Sequence, residues 1–280
     1  MRRLNRTRSI VAAACVAGSL LGAESARADD LTATTVDTGK AIDVTGSRPV
    51  ERTWLYGDTA TVTAPGQALA ISRLTYTSTG ASVTRPFASS LATPGAMLEA
   101  GGEVGLLPRL SLAASGLTGE AGNAGFTAVG ATAGLRLALL PLSWRYTHAV
   151  VSGGYLRELT GNSGAWGRFT LSQDVGRARF AGTLHGEHVF AHGRDGVDVM
   201  VVAGANYQVY GPMRLGVEYV GQDLEESLGD AAEGGARHFV GPTASVVAMG
   251  DRLSIVGGPS VGLSYGSPRV LGRLGLAYSF

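Results

Sequence analysis

The chain has 280 residues, 45% of them hydrophobic and 16% charged, with 23 basic residues against 22 acidic. That balance, mildly acidic once the arginine-rich N-terminus is removed, excludes the basic field that nucleic acid binding needs. Its 42 glycines follow no G-X-Y period and come with substantial apolar content, which excludes a collagen-like or low-complexity chain.

Arg2, Arg3, Arg6 and Arg8 precede an apolar run from Ile10 to Gly22, and Ala26-Arg27-Ala28 follows. This layout predicts a secretory signal peptide over residues 1–28, cleaved after Ala28. The apolar run is about 13 residues long, and a helix needs roughly 20 to cross a bilayer, so no helical anchor is expected. Cys15 follows the small Ala13 and Ala14, as in a lipoprotein signal, but Ala12 stands where leucine is usual and an A-x-A site lies further on. It reads as a small apolar residue of the signal. The exported chain then carries no cysteine, which excludes a disulfide framework and a thiolate ligand or nucleophile.

Residues 29–66 are rich in Thr, Asp, Gly and Ala and show no sustained periodicity beyond the short Trp54-Leu55-Tyr56. They are expected to form a periplasmic N-terminal segment, mostly irregular, with part of it packed under the domain that follows.

From residue 67 onward, segments of about 9–15 residues alternate between apolar and small or polar side chains, separated by breakers. Side chains of a strand point to opposite faces with period two, so one face meets an apolar medium and the other does not. The spacing predicts twelve strands, at 67–78, 94–106, 109–117, 125–139, 142–156, 165–175, 177–190, 197–210, 213–223, 237–249, 252–264 and 269–280. Ten strands remain an alternative, because the first segment and the stretch 79–93 carry the weakest pattern. In the fourth segment Gly130, Thr132, Gly134 and Arg136 oppose Ala131, Ala133, Leu135 and Leu137; in the ninth, Arg214, Gly216 and Glu218 oppose Leu215, Val217 and Tyr219.

The last segment alternates most cleanly. Val270, Gly272, Leu274, Leu276, Tyr278 and Phe280 share one face; Leu271, Arg273, Gly275, Ala277 and Ser279 share the other. A terminal Phe280 with Tyr278 two residues before it, and apolar residues alternating further back, resembles the C-terminal signature of bacterial outer-membrane β-barrels of the porin-like superfamily. The resemblance implies an all-β, antiparallel up-and-down transmembrane barrel over residues 67–280. It also implies an integral outer-membrane location reached through the signal peptide, lipid as neighbour, and recognition of Tyr278 and Phe280 by the barrel-assembly machinery.

The residues support that reading independently. A charge on the lipid face near the midplane costs about 2–4 kcal/mol, and Lys, Arg, Asp and Glu are nearly absent from one face of each strand. Tight turns placed at Leu107-Pro108, Leu140-Pro141, Val175-Gly176, Gly211-Pro212 and Gly250-Asp251 alternate with longer polar connections. With Phe280 at the periplasmic end, every tight turn is periplasmic and every long loop external, as in barrels of this class. Trp144, Tyr146, Tyr207, Tyr219, Tyr278 and Phe280 fall on outward faces, as interfacial girdle residues do. A soluble barrel or sandwich would reverse the faces, with the charged one outside.

The opposite faces gather the candidate functional residues: Glu99, Glu103, Arg136, Arg145, Arg168, Arg179, His185, Glu187, Asp198, Arg214, Glu218, Arg252 and Arg273, with Asp174 and Arg177 beside them. They can form ion pairs that fill the lumen, since an unpaired buried charge is costly, or a polar pathway that orients solutes. Twelve strands sit between the filled eight-stranded barrel and the open sixteen-stranded one. The expected function is a porin-like channel for small solutes; the alternative is a non-transporting structural or surface-interaction barrel with a plugged lumen, whose acidic loop 222–236 carries Asp223, Glu225, Glu226, Asp230 and Glu233.

No enzyme, cofactor or metal is expected. Gly258-Pro259-Ser260-Val261-Gly262 matches G-x-S-x-G, but the nucleophile elbow needs a strand-to-helix turn, and this copy lies inside an alternating strand. His185 and His188 point to opposite faces of one strand, and His192 falls in a loop, so they do not converge on an ion. Removing Phe280 is expected to abolish assembly: the full chain should fractionate with the outer membrane and migrate differently before and after heating, and the truncated chain should do neither.

Overall fold

In a computed structural model the described residues are 54, 56–78, 95–120, 126–141, 144, 146–159, 161–191, 197–224, 236–265 and 267–280. The signal peptide, Cys15, His192, Arg145 and the acidic loop residues 225–235 lie outside them. The described residues fall in one compact unit, Val44–Phe280.

Twelve antiparallel strands close on themselves. They are β1 (Ala68–Thr77), β2 (Gly95–Leu107), β3 (Leu110–Glu120), β4 (Phe126–Ala138), β5 (Thr147–Glu158), β6 (Ser163–Val175), β7 (Ala178–Val189), β8 (Asp198–Tyr210), β9 (Met213–Gln222), β10 (Arg237–Ala248), β11 (Leu253–Gly262) and β12 (Val270–Ser279). Neighbours in sequence are neighbours in space, and β1 seals the barrel against β12 from Leu69↔Ser279 to Thr77↔Leu271. An even count lets the first and last strands meet antiparallel, which leaves no unpaired edge.

The connections fall into two sets. At the end that holds Phe280, β6–β7 and β8–β9 are joined by two residues each, with Gly176 at φ 58° and Gly211 at φ 47°. Such hairpins need positive φ, which glycine adopts without strain. We refer to this as the turn end, and to the other as the loop end, where β9 and β10 are separated by residues 223–236. One tight turn is longer than its sequence predicts: β5 begins at Thr147 rather than at 142, and residues 139–146 connect it to β4. Pro141 has no N–H for the ladder, and its carbonyl instead accepts from the Trp144 amide at 3.0 Å, forming a turn outside the sheet.

Burial alternates along the strands as the sequence predicts. Leu135, Leu137, Leu215, Val217, Leu274 and Leu276 are exposed on the outer wall, whereas Arg136, Glu218 and Ala277 are buried on the inner one. An outer surface of aliphatic side chains over an inner surface of charges is what a membrane barrel requires, since hydrocarbon replaces water outside.

The lumen is occupied. Trp54 and residues 56–64, which form no regular structure, run inside the wall. The segment is anchored at the turn end, where Pro65 bridges in parallel to Gly105, the Gly66 amide donates to the Gly105 carbonyl at 3.2 Å, and the Gly105 amide donates to the Gln67 carbonyl at 3.0 Å. Two glycines of the wall make room for it. A Cβ on Gly105 would lie 1.9 Å from the Ala64 carbonyl oxygen, and one on Gly204 would lie 2.5 Å from the Trp54 ring. On the far side, Tyr56 joins Met200, Val202, Val220, Phe239, Val256 and Leu271 in a buried apolar cluster. The stretch expected beneath the barrel is therefore luminal over its described residues.

Gly105→Val should force the segment off the wall and cost about 1–3 kcal/mol, as overpacking does. The check is a lower urea midpoint in detergent together with faster proteolysis within residues 56–64.

Candidate functional site in the barrel lumen

The charges gathered on the inner wall converge on the luminal segment. Asp58, buried, places Oδ2 between two guanidinium groups, in an ion pair with Arg136 of β4 and at 2.9 Å from Nη1 of Arg168 of β6. Arg136 also donates from Nη2 to the carbonyls of Thr59 at 2.9 Å and Thr61 at 3.0 Å, and its Nε lies 3.4 Å from Glu103 Oε2. Glu103 accepts from the Thr63 amide at 2.8 Å and from the Ser111 hydroxyl at 2.6 Å. Across the lumen, Glu218 Oε1 accepts from the amides of Tyr56 at 3.0 Å and Gly57 at 2.6 Å. Backbone polar groups away from water must find partners. This irregular segment finds them on side chains of the wall.

Toward the loop end, Arg73 donates to Glu99 Oε2 at 3.0 Å, with Arg273 Nη2 at 3.8 Å from the same oxygen. The Arg273 guanidinium sits 5.2 Å from the centre of the Tyr56 ring. Burial pushes the Tyr56 phenol up to about 12, and its oxygen accepts from Ser260 at 3.3 Å. Ser260 is thus a luminal hydroxyl within β11, with no turn at its position.

Small cavities remain between the described residues. One of about 90 Å³ is lined by Asp58, Arg73, Glu99, Trp166, Arg168 and His185, among others. A second of about 70 Å³ shares Arg73, Glu99, Arg168 and His185 with it and adds Tyr56 and Arg273. Each is large enough for a few waters, given that one water needs roughly 10–15 Å³.

Of the residues singled out in the sequence, Glu99, Glu103, Arg136, Arg168, His185, Glu187, Glu218 and Arg273 lie around the luminal segment or the cavities. Arg179 pairs with Asp174 at 2.6 Å beside the β6–β7 turn, and Arg214 reaches Asn206 at 3.1 Å near the same end. Asp198 is buried opposite Glu187 toward the loop end. Arg252 is exposed in the turn before β11, outside the lumen's interior. Tyr278 and Phe280 meet edge to face at 5.0 Å, and the Phe280 amide donates to the Ala68 carbonyl at 2.9 Å, next to the seam. His188 faces outward against Phe190, away from His185.

Sequence reasoning missed Asp58, Arg73 and Arg237, and it read Asp223 as part of the external acidic loop, whereas the structure buries it against Arg237 at 2.7 Å at the loop end. Arg73 could have been found, because it follows Leu69 and Ile71 at period two on β1. The apolar Trp54-Leu55-Tyr56 in an otherwise polar stretch was the signal for Asp58.

No family model matches the sequence, and no curated protein is significantly similar to it. Solved structures are similar in shape. A crystallised outer membrane channel of Pseudomonas putida F1 aligns with a TM-score of 0.51 at 11% identity, covering 80% of this chain and 99% of that one. The fold is a closed antiparallel β-barrel like that of this channel. OprD of Pseudomonas aeruginosa (TM-score 0.38, 13% identity, covering 77% of this chain and 66% of that one) and the channel DcaP of Acinetobacter baumannii (0.34, 11%, 76% and 96%) align more loosely.

Asp58→Ala leaves Arg136 and Arg168 without their shared carboxylate. Removing one partner of a buried pair costs about 3–5 kcal/mol, so the barrel should either lose stability by that order or release residues 56–63, and unfolding midpoints read beside limited proteolysis tell the two apart.

Proposed function

We propose that the chain is an integral outer-membrane barrel of the channel type, exported by its signal peptide, whose pore is closed by its own N-terminal segment in the state described. The observation that carries this reading is the Asp58 carboxylate held by Arg136 and Arg168 inside the lumen. A purely structural filling would be served by apolar packing, which is often as stable as a buried ion pair or more so. Here the segment on the Arg136 side is held almost wholly by hydrogen bonds and charge, contacts that water and solute groups can replace when it leaves. The ends of the lumen are polar as well, which suits small hydrophilic solutes. A non-transporting barrel is the second reading, favoured by the apolar cluster around Tyr56.

Planar bilayers decide between them. The full chain is expected to show little conductance, and a chain lacking residues 54–63 to show stepwise openings, with Asp58→Ala between the two. Silence from a truncated barrel that retains heat-modifiable mobility would establish the non-transporting reading.

A further inference from the structure

The smaller cavity is an unusual place for a folded lumen to leave space. Its lining includes three guanidinium groups, Arg73, Arg168 and Arg273, and a single carboxylate, Glu99, with Tyr56, Thr75, His185 and the apolar Met97, Leu117 and Met200 completing the wall. Asp58 lies behind Arg168 and is engaged by Arg136, and Glu218 is engaged by the amides of Tyr56 and Gly57. Glu99 is bonded to Arg73 and stands 3.8 Å from Arg273, an ion-pair distance too long for a hydrogen bond. Arg273 Nε is buried and has no hydrogen-bond partner among the described residues. An unpaired donor on a buried charge costs about as much as the desolvation of that group, so the position calls for an acceptor.

We infer that this cavity is a binding site for one small oxyanion, of phosphate or short carboxylate size, held by Arg273 and Arg73 with Arg168 at its edge. Charge-assisted bonds from planar guanidinium forks suit such a ligand, which accepts from several donors and offers none. The volume of about 70 Å³ admits a group of that size and little more. Tyr56 forms part of the wall, so the site is complete only while the luminal segment is in place. The inference rests on the filled lumen, and not on passage through it.

The test is calorimetric titration of the refolded full-length barrel in detergent with inorganic phosphate, in a buffer whose other anion is a bulky sulfonate. Saturable binding at one site is expected, weakened at least tenfold by Arg273→Gln and unchanged by Arg179→Gln, whose arginine is held by Asp174 away from the cavity. Heat-modifiable mobility establishes that each variant is folded. Absence of saturable heat from the unaltered barrel, or equal binding by a folded Arg273→Gln variant, would overturn the site and leave water as its occupant. If Arg273→Gln does not fold, iodide soaked into crystals of the unaltered protein replaces it: an anomalous peak between Arg73 and Arg273 supports the site, and none there removes it. Because binding is read without a bilayer, its failure leaves the channel reading standing, and a silent bilayer leaves the site standing.

Discussion

The interior depends on one carboxylate. Asp58 gives two guanidinium groups, the buried Arg136 and the half-buried Arg168, a common partner, and Arg136, fixed by it, turns its remaining donors to the carbonyls of Thr59 and Thr61. Without a negative charge at that point the inner wall would hold arginines facing one another across a narrow, poorly hydrated space. Charges in such a setting must be paired and hydrogen-bonded. The wall and the segment therefore satisfy each other's needs, as two strands of a ladder do, although no ladder joins them.

Barrel width explains why a segment is needed at all. Eight strands can be filled by their own inward side chains, whereas sixteen leave an aqueous channel. With twelve, the wall leaves room between its opposite sides, and the segment bridges them. The segment does so with two kinds of contact. Tyr56 packs among Phe239, Val256 and Leu271 on one side, while Asp58 and the backbone near it engage Arg136, Glu103 and Arg168 on the other. One side is fastened by packing and the other by polar groups that water can substitute.

The fold was legible because period-two alternation is a local property. Each strand states its faces in its own residues, and the strand bounds agree with the pattern nearly everywhere. Where they differ, at β5, a proline redirected the chain before the strand could begin. The inner-face residues were legible for the same reason, from Glu99 to Arg273. Asp58 was not, because nothing periodic surrounds it and its partners Arg136 and Arg168 lie 78 and 110 residues away. Arg252 shows the converse limit: its parity matched an inward position, but the strand started one residue later and left it in the turn. Alternation reports which way a side chain points only while the ladder continues.

The anchor at Gly105 sets the terms on which the segment could move. Gly66 and Gln67 are bonded to Gly105, and β1 starts at Ala68, so the stretch back from Ala64 is leashed to the seam itself. Eleven residues from Trp54 to Ala64 reach at most about 40 Å when fully extended. A segment drawn out of the lumen thus stays within a sphere of that radius around the pore mouth, at an effective concentration on the order of millimolar. Its return to the lumen is then a unimolecular event, independent of protein concentration, and any second ligand for the emptied lumen competes with a tethered one.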